Sequence, residues 1–342
     1  MKIGIVGYQG SGKSTLFGWL TGVAPDPALS HTAQSAMAAM IDPRVERLCE
    51  IYRPKKVTHA ALELVDTPGL DPAHQGNAAR LALIREAGCL VYVVDAFRGD
   101  DPAARLASFD EDLLLADMEI VARRIERLRE SVRKPRPNRE QEQADLEALE
   151  PLLETLESGT PLTDLEMTEG QIKATRSFQL LTEKPRLAVL NVADDEPQPD
   201  RLLTELPGGT RALALPVTLA AELAEMNEAD REEFLREMPW AAADRDTVLR
   251  DFMDASGQML YFTAGDKEVR TWMIRQGCTA VEAADGIHSD LARGFVRAET
   301  MTCDDLFRLG GEREVKAAGL MRREARDYVI QEGEILYILA SV

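Results

Sequence analysis

Aromatic residues make up only 5% of the 342-residue chain, and its four cysteines (Cys49, Cys89, Cys278, Cys303) show no C-x-x-C spacing. That scatter indicates neither a disulfide framework nor a zinc site. No apolar run approaches the length of a membrane span, and Met1 leads into an apolar strand rather than through the regions of a leader peptide. A cytosolic location without a membrane partner is expected. Positive charge is scarce too: 40 Lys and Arg against 59 Asp and Glu give a net charge of −19. Charge of that sign favours solubility and works against non-specific binding to nucleic acid. DNA sequence reading is therefore not expected, and an RNA contact needs a local basic patch. Arg129 to Arg139, with Arg133, Lys134 and Arg136, is one locally basic stretch. It reads equally as a solvated hairpin tip or a contact site.

A hydrophobic content of 45% in 37.8 kDa suffices for two or three domains with real cores. Lys2 to Val6 is a short β-branched run suited to a buried parallel strand. Gly7, Tyr8, Gln9, Gly10, Ser11, Gly12, Lys13 and Ser14 then fit G-x-x-x-x-G-K-[ST], and Thr15 to Leu20 begins a helix. Strand, glycine-rich loop and helix together make a phosphate-binding loop. The glycines let backbone N–H groups close on phosphate oxygens. The helix N-terminus favours the same anion. Lys13 can meet the β- and γ-phosphates, and the Ser14 hydroxyl can ligate Mg²⁺.

Residues 24 to 45 carry little periodicity and hold the place of a first switch loop, where Ser30 or Thr32 is the candidate Mg²⁺ ligand. A helix is expected from Asp42 to Ile51. The strand Ala61 to Val65 ends in Asp66-Thr67-Pro68-Gly69-Leu70, which places a metal-ordering carboxylate and a γ-phosphate-sensing Gly69 N–H beside the loop. This points to the GTPase-like branch of P-loop proteins rather than to small-molecule kinases. Leu70 stands where Ras-like proteins carry a water-orienting Gln, so hydrolysis should be slow or use another group. His74 or Gln75 can reach the γ-phosphate from the next loop.

Cys89 to Ala96 is a third buried strand. Leu114, Met118, Val121, Ile125, Leu128 and Val132 alternate four and three apart, a heptad seam. Leu146, Leu149, Leu153 and Leu156 form another beyond Pro135 and Pro137, so an antiparallel helical hairpin is expected. Helix at Gln171 to Thr182 and strand at Arg186 to Leu190 return to the α/β pattern. Asn191-Val192-Ala193-Asp194 follows at the position of base recognition, with Val192 in place of the Lys of N-K-x-D. Arg211 to Val217 reads as a strand, Thr218 as the start of a base-closing loop, and Ala220 to Met238 as an acidic helix. Beyond Gly257, strands at Met259 to Thr263, Val269 to Ile274, Phe295 to Met301, Tyr328 to Ile330 and Ile335 to Leu339 are expected. With Ala280 to Arg293 partly helical and a short helix at Arg313 to Ala318, they read as a compact β-grasp-like module.

With these residues in place the chain resembles the YchF/Obg-like ATPase family, within the translation-factor-related P-loop GTPase class. The resemblance spans nearly the whole length. It rests on the P-loop, Asp42-Pro43-Arg44, Asp66 to Leu70, the helical insertion and Asn191-Val192. It is closest at Tyr261 to Gly265, Glu268 to Trp272, Ala283 to His288 and Arg293 to Glu299. It implies an α/β P-loop G domain (1–110 and 183–256), an inserted antiparallel helical hairpin (111–182) and a C-terminal TGS-like β-grasp domain (257–342). It further implies Mg²⁺-dependent purine nucleotide hydrolysis and association with ribosomes or RNA. Gly10-Ser11 replaces the family's Asn-Val, which argues against potassium activation. Asp194 replaces its usual Glu and leaves ATP against GTP open, with ATP favoured on family grounds.

The expected site comprises Lys13, His74 and Gln75 for catalysis. Gln9, Gly10, Ser11, Gly12, Lys13, Ser14, Thr15, Gly69, Asn191, Val192, Asp194 and Thr218 are expected to bind nucleotide, and Ser14, Thr32 and Asp66 the metal. A slow NTPase switch is the leading reading. A nucleotide-gated adaptor with little hydrolysis is the alternative.

Overall fold

A computed structural model of the chain describes residues 1–26, 28, 31–99, 101–238 and 243–341. The N-terminal elements are β1 (Lys2–Val6), α1 (Lys13–Thr21), β2 (Gln34–Ala39), α2 (Pro43–Tyr52), β3 (Lys56–Thr58), β4 (Ala61–Asp66), α3 (Asn77–Ile84) and β5 (Cys89–Val94). Then come α4 (Pro102–Ser131), α5 (Arg139–Glu157), α6 (Glu169–Thr175), β6 (Arg186–Asn191), β7 (Ala212–Leu215), α7 (Val217–Glu225) and α8 (Glu228–Glu237). The chain continues with α9 (Arg245–Ala255), β8 (Gln258–Ala264), β9 (Glu268–Arg275), α10 (Ala280–Ile287), α11 (Ser289–Arg293) and β10 (Phe295–Thr302). It ends with α12 (Cys303–Leu309), α13 (Glu312–Ala317), β11 (Arg322–Glu324) and β12 (Glu334–Ala340). Contacts divide it into two units, Met1–Ala36 with Glu63–Asp244 and Met37–Leu62 with Arg245–Val342.

The sheet of the first unit has the order β2-β4-β1-β5-β6-β7. From β4 to β7 each neighbouring pair is parallel. Its central strands are apolar on both faces and buried accordingly, as a parallel sheet flanked by helices requires. Phe109 of α4 packs beneath the phosphate loop, stacked on Tyr92 at 4.0 Å between centroids and edge-on to Tyr8 at 6.0 Å. This is the P-loop G-domain architecture expected from the sequence.

The helical hairpin starts earlier than its heptad seam. Asp101 caps α4 by accepting from Ala103 N, with Pro102 in the first turn. Val121, Ile125 and Leu128 pack against Leu146, Leu149, Leu152 and Leu156, with Leu114, Met118 and Val132 at the margin. Leu152 is fully buried and the expected seam residue Leu153 partly so.

Four expected elements differ. Helix after Gln171 stops at Thr175, and Gln179 turns the chain with φ +51°. Strand β7 ends at Leu215, so Thr218 lies in the first turn of α7 rather than opening a loop. The acidic helix is broken at Met226-Asn227, where Asn227 caps α8 by accepting from Asp230 N. Tyr328 to Ile330 is an isolated bridge, Thr279 to Val329, not a strand. The aperiodic 24–45 stretch also contains β2, whose mostly small residues, half of them exposed, carry no hydrophobic period.

In the second unit the sheet order is β11-β10-β12-β8-β9-β3, with β8 and β9 an antiparallel hairpin and β12 parallel to β8. Ala283 of α10 packs with Tyr261 and Leu336 of this sheet. The sheet recruits residues far upstream of Gly257. Strand β3 pairs with β9, Lys56 opposite Glu268, and Val45 and Leu48 of α2 share a core with Phe262, Met301 and Ile335. The Asp42 carboxylate caps α2 and takes hydrogen bonds from Arg44 and Arg250. No helix among the described residues is long and apolar enough to cross a membrane.

Candidate nucleotide site

The glycines of the phosphate loop are there because side chains are not tolerated. A Cβ at Gly7, whose φ is +144°, would meet Val93 O at 2.6 Å. Gly12, with φ +97°, leaves room for the Asn191 amide. Asn191 in turn donates to Ser11 O at 3.0 Å and accepts from Val217 N at 3.1 Å. One buried side chain at the end of β6 thus fixes both the phosphate loop and the turn before α7. The Ser11 hydroxyl is buried without a partner among the described residues, so Ser11 serves through its backbone.

Two clefts open from this loop. One, of about 550 Å³, is lined by Gly10, Gly12, Lys13, Ser14 and Thr15 on one side and by Phe97, Asn191 to Asp194 and Thr218 on the other. The second, of about 470 Å³, is bordered by Gln9, Lys13, Ser14, Thr32, Asp66 and Gly69. Every expected nucleotide- and metal-binding residue except Ser11 therefore borders a cleft, while Ser30 lies outside the described residues. Arg80 from α3 also reaches the second cleft.

Lys13 is almost fully buried and donates to Tyr8 O at 2.6 Å. Burial pulls its ammonium down to about 8, against the opposing attraction of Asp66 and Asp95. The Ser14 hydroxyl donates to Asp66 Oδ2 at 2.6 Å, and Asp66 Oδ1 is buried without a partner among the described residues. Burial raises the Asp66 carboxyl, an effect that Ser14 and Lys13 reduce. A hydroxyl and a half-satisfied carboxylate beside a phosphate loop are hard oxygen donors of the kind Mg²⁺ takes.

The Asp66-to-Leu70 segment closes on the loop. Leu70 N donates to Gly7 O, Gln9 N donates to Leu70 O, and a Cβ at Gly69 would lie 2.8 Å from Lys13 Nζ. Leu70 itself is fully buried in the core with Tyr8. His74 and Gln75 line neither cleft. His74, at φ +60°, places Nδ1 2.7 Å from Asp112 Oδ1, and Tyr8 donates to the other oxygen of Asp112 at 2.9 Å.

Sequence reasoning passed over Phe97 and Arg98. An aromatic directly after the apolar run Cys89 to Ala96 was the available signal for Phe97, and the structure leaves it 40% exposed. Arg98 carried none.

The fold and the loop define a P-loop nucleotide-binding protein of the G-domain class. Residues 2–125 match the family model described as 50S ribosome-binding GTPase, and residues 259–341 match YchF-GTPase_C, described as a protein of unknown function. The chain is 33% identical over 368 residues to the ribosome-binding ATPase YchF of Bacillus subtilis, covering all of both chains. It is 32% identical to Obg-like ATPase 1 of Oryza sativa subsp. japonica, covering all of this chain and 92% of that one. The solved structure of the Schizosaccharomyces pombe YchF GTPase matches with a TM-score of 0.81 at 26% identity, over 99% of this chain and 97% of that one. The chain belongs to the YchF/Obg-like ATPase family.

Proposed function

We propose that the chain is a slow, Mg²⁺-dependent NTPase that hydrolyses ATP in preference to GTP and acts as a cytosolic, ribosome-associated switch. The observation that carries this reading is the Ser14–Asp66 pair at 2.6 Å beside Lys13, with a carboxylate oxygen still free to order a metal-bound water. Ser14 and Asp66, with Thr32 across the same cleft, would hold Mg²⁺, which supplies charge neutralisation at the β- and γ-phosphates. On binding, Lys13 exchanges Tyr8 O for phosphate oxygens. Phe97 borders the first cleft and offers an exposed apolar face to a purine, Val192 lines the cleft from the core, and Asp194 meets the purine edge. Gly10-Ser11 offers no P-loop carboxamide, so turnover should not depend on potassium.

His74 is the better of the two water-orienting candidates. In the tautomer whose Nδ1–H donates to Asp112, Nε2 is an acceptor, the arrangement in which a carboxylate orients a base. Because His74 borders neither cleft, the loop after Gly69 has to carry it to the γ-phosphate. A ribosomal partner is supported by the names of the relatives, and co-sedimentation with ribosomes tests it.

The deciding experiment is equilibrium binding of fluorescent ATP and GTP analogues with Mg²⁺, with Lys13→Ala as the blank. A tenfold preference for ATP, about 1.4 kcal/mol, is expected. An equal preference for GTP refutes the ATP assignment. One observation favours an adaptor instead: buried Leu70 cannot orient water. Phosphate release no faster than in Lys13→Ala, with nucleotide still bound by the wild type, would establish that second reading.

A further inference from the structure

We propose that Arg98 is a catalytic residue of this site, a second cation supplied by the same chain to the phosphoryl group in transfer. The proposal rests on the NTPase reading above. Gly10 has φ +76°, and a Cβ built on it would lie 2.9 Å from Arg98 Nη2. The guanidinium therefore lies against a face of the phosphate loop that only glycine leaves bare. Gly10 borders both clefts, so Arg98 lies against a loop residue that lines them both.

The position is built rather than incidental. Strand β5 leads into Asp95, and a short 3₁₀ turn over Ala96–Arg98, stopped by Gly99 at φ +80°, brings the chain back over the loop. Asp95 is 3% exposed and its Oδ2 lies 3.3 Å from Arg98 Nε and 3.7 Å from Arg105 Nη2. Its other oxygen is buried without a partner among the described residues. This carboxylate holds the guanidinium by Nε and leaves the two terminal nitrogens for other acceptors. The Arg98 guanidinium also lies over the Phe97 ring, 5.6 Å from its centroid, and Phe97 lines the first cleft. The Arg98 side chain is half exposed and borders neither cleft itself, so contact with a phosphate requires it to swing past Gly10.

A planar guanidinium donates two parallel hydrogen bonds to phosphate oxygens, and its charge is permanent. In the transfer the water oxygen bonds to the γ-phosphorus. The bond to the bridging β–γ oxygen breaks with its electron pair going to the nucleoside diphosphate, and the water proton passes to the released phosphate. Charge grows on the bridging and equatorial oxygens. Lys13 already serves them from within the loop, and Arg98 adds a charge from outside it across Gly10.

The test uses the full chain and its Arg98→Ala and Arg98→Lys variants. Phosphate release, fluorescent NDP binding, and NDP binding with Mg²⁺ and aluminium fluoride are measured for each. Arg98→Ala should lose turnover by about 100-fold or more, keep its NDP affinity within about threefold, and lose the gain in affinity that aluminium fluoride confers. Arg98→Lys should recover part of both losses. Turnover and fluoride response in Arg98→Ala within threefold of wild type overturn the proposal, and so does an equal loss of NDP affinity. A wild type that binds NDP yet shows neither turnover nor a fluoride response refutes the hydrolysis reading itself.

Discussion

Asn191 and Ser11 are joined across the G domain by a 3.0 Å hydrogen bond from the side-chain amide to the backbone carbonyl, while Asn191 Oδ1 holds Val217 N. The phosphate loop and the base-side turn therefore share one anchor. Asn191→Ala leaves both backbone groups buried and unpaired, at about 1–3 kcal/mol each. It should lower the urea midpoint and weaken both ATP and GTP binding by tenfold or more. Asn191→Asp should be as severe, because it turns a donor on Ser11 O into an acceptor. Equal affinities in wild type and Asn191→Ala would show that the anchor does not shape the site.

Asp112 receives Tyr8 from the phosphate loop and His74 from the loop after Gly69, one on each oxygen. If His74 orients water, His74→Ala should slow phosphate release tenfold or more at unchanged nucleotide affinity. Gln75→Ala should stay within about threefold. Asp112→Asn should slow release as well, because it frees the His74 tautomer. It should also lower the melting temperature, since the Tyr8 hydroxyl loses its charged acceptor. Wild-type turnover in His74→Ala removes His74 from the catalytic group.

The parts of the fold that could be read in advance are those whose chemistry is local. Gly7 to Ser14 must have those residue types in that spacing to wrap a phosphate, so the loop was plain from the chain alone. The seam of the hairpin was visible for the same reason, but its spacing puts Leu153 in the seam, and packing with α4 buries the adjacent Leu152 fully instead. Long-range pairing left no such mark. Nothing in Lys56-Val57-Thr58 says that it pairs with β9, and nothing in Val45 or Leu48 says that Phe262 covers them. The amphipathic pattern of α2 reveals a buried face without naming its partner. Arg98 was illegible because one arginine after a strand is commonplace, and its meaning comes from Gly10, which only the folded loop brings beside it.

Asp42 shows how the second unit depends on a residue from the first fifty of the chain. Its side chain is 1% exposed, receives Arg44 at 2.7 Å and Arg250 at 2.9 Å, and Arg44 reaches on to Glu332 at 2.6 Å. Burial alone would raise the carboxyl, but the two arginines outweigh it and hold it down at about 2. A carboxyl depressed on folding contributes stability above its unfolded value, near 3.8, and loses it as pH falls through the folded value. The contribution is about 2 kcal/mol, present in full at neutral pH and lost between about pH 4 and pH 2. Asp42→Asn should destabilise the second unit at pH 7 by roughly 3 kcal/mol, because two partly buried arginines lose their shared partner. Its urea-unfolding curve should then lack the acid-dependent step that the wild type shows over that window. If wild type and Asp42→Asn lose stability in parallel from about pH 4 to pH 2, the acid-sensitive group lies elsewhere.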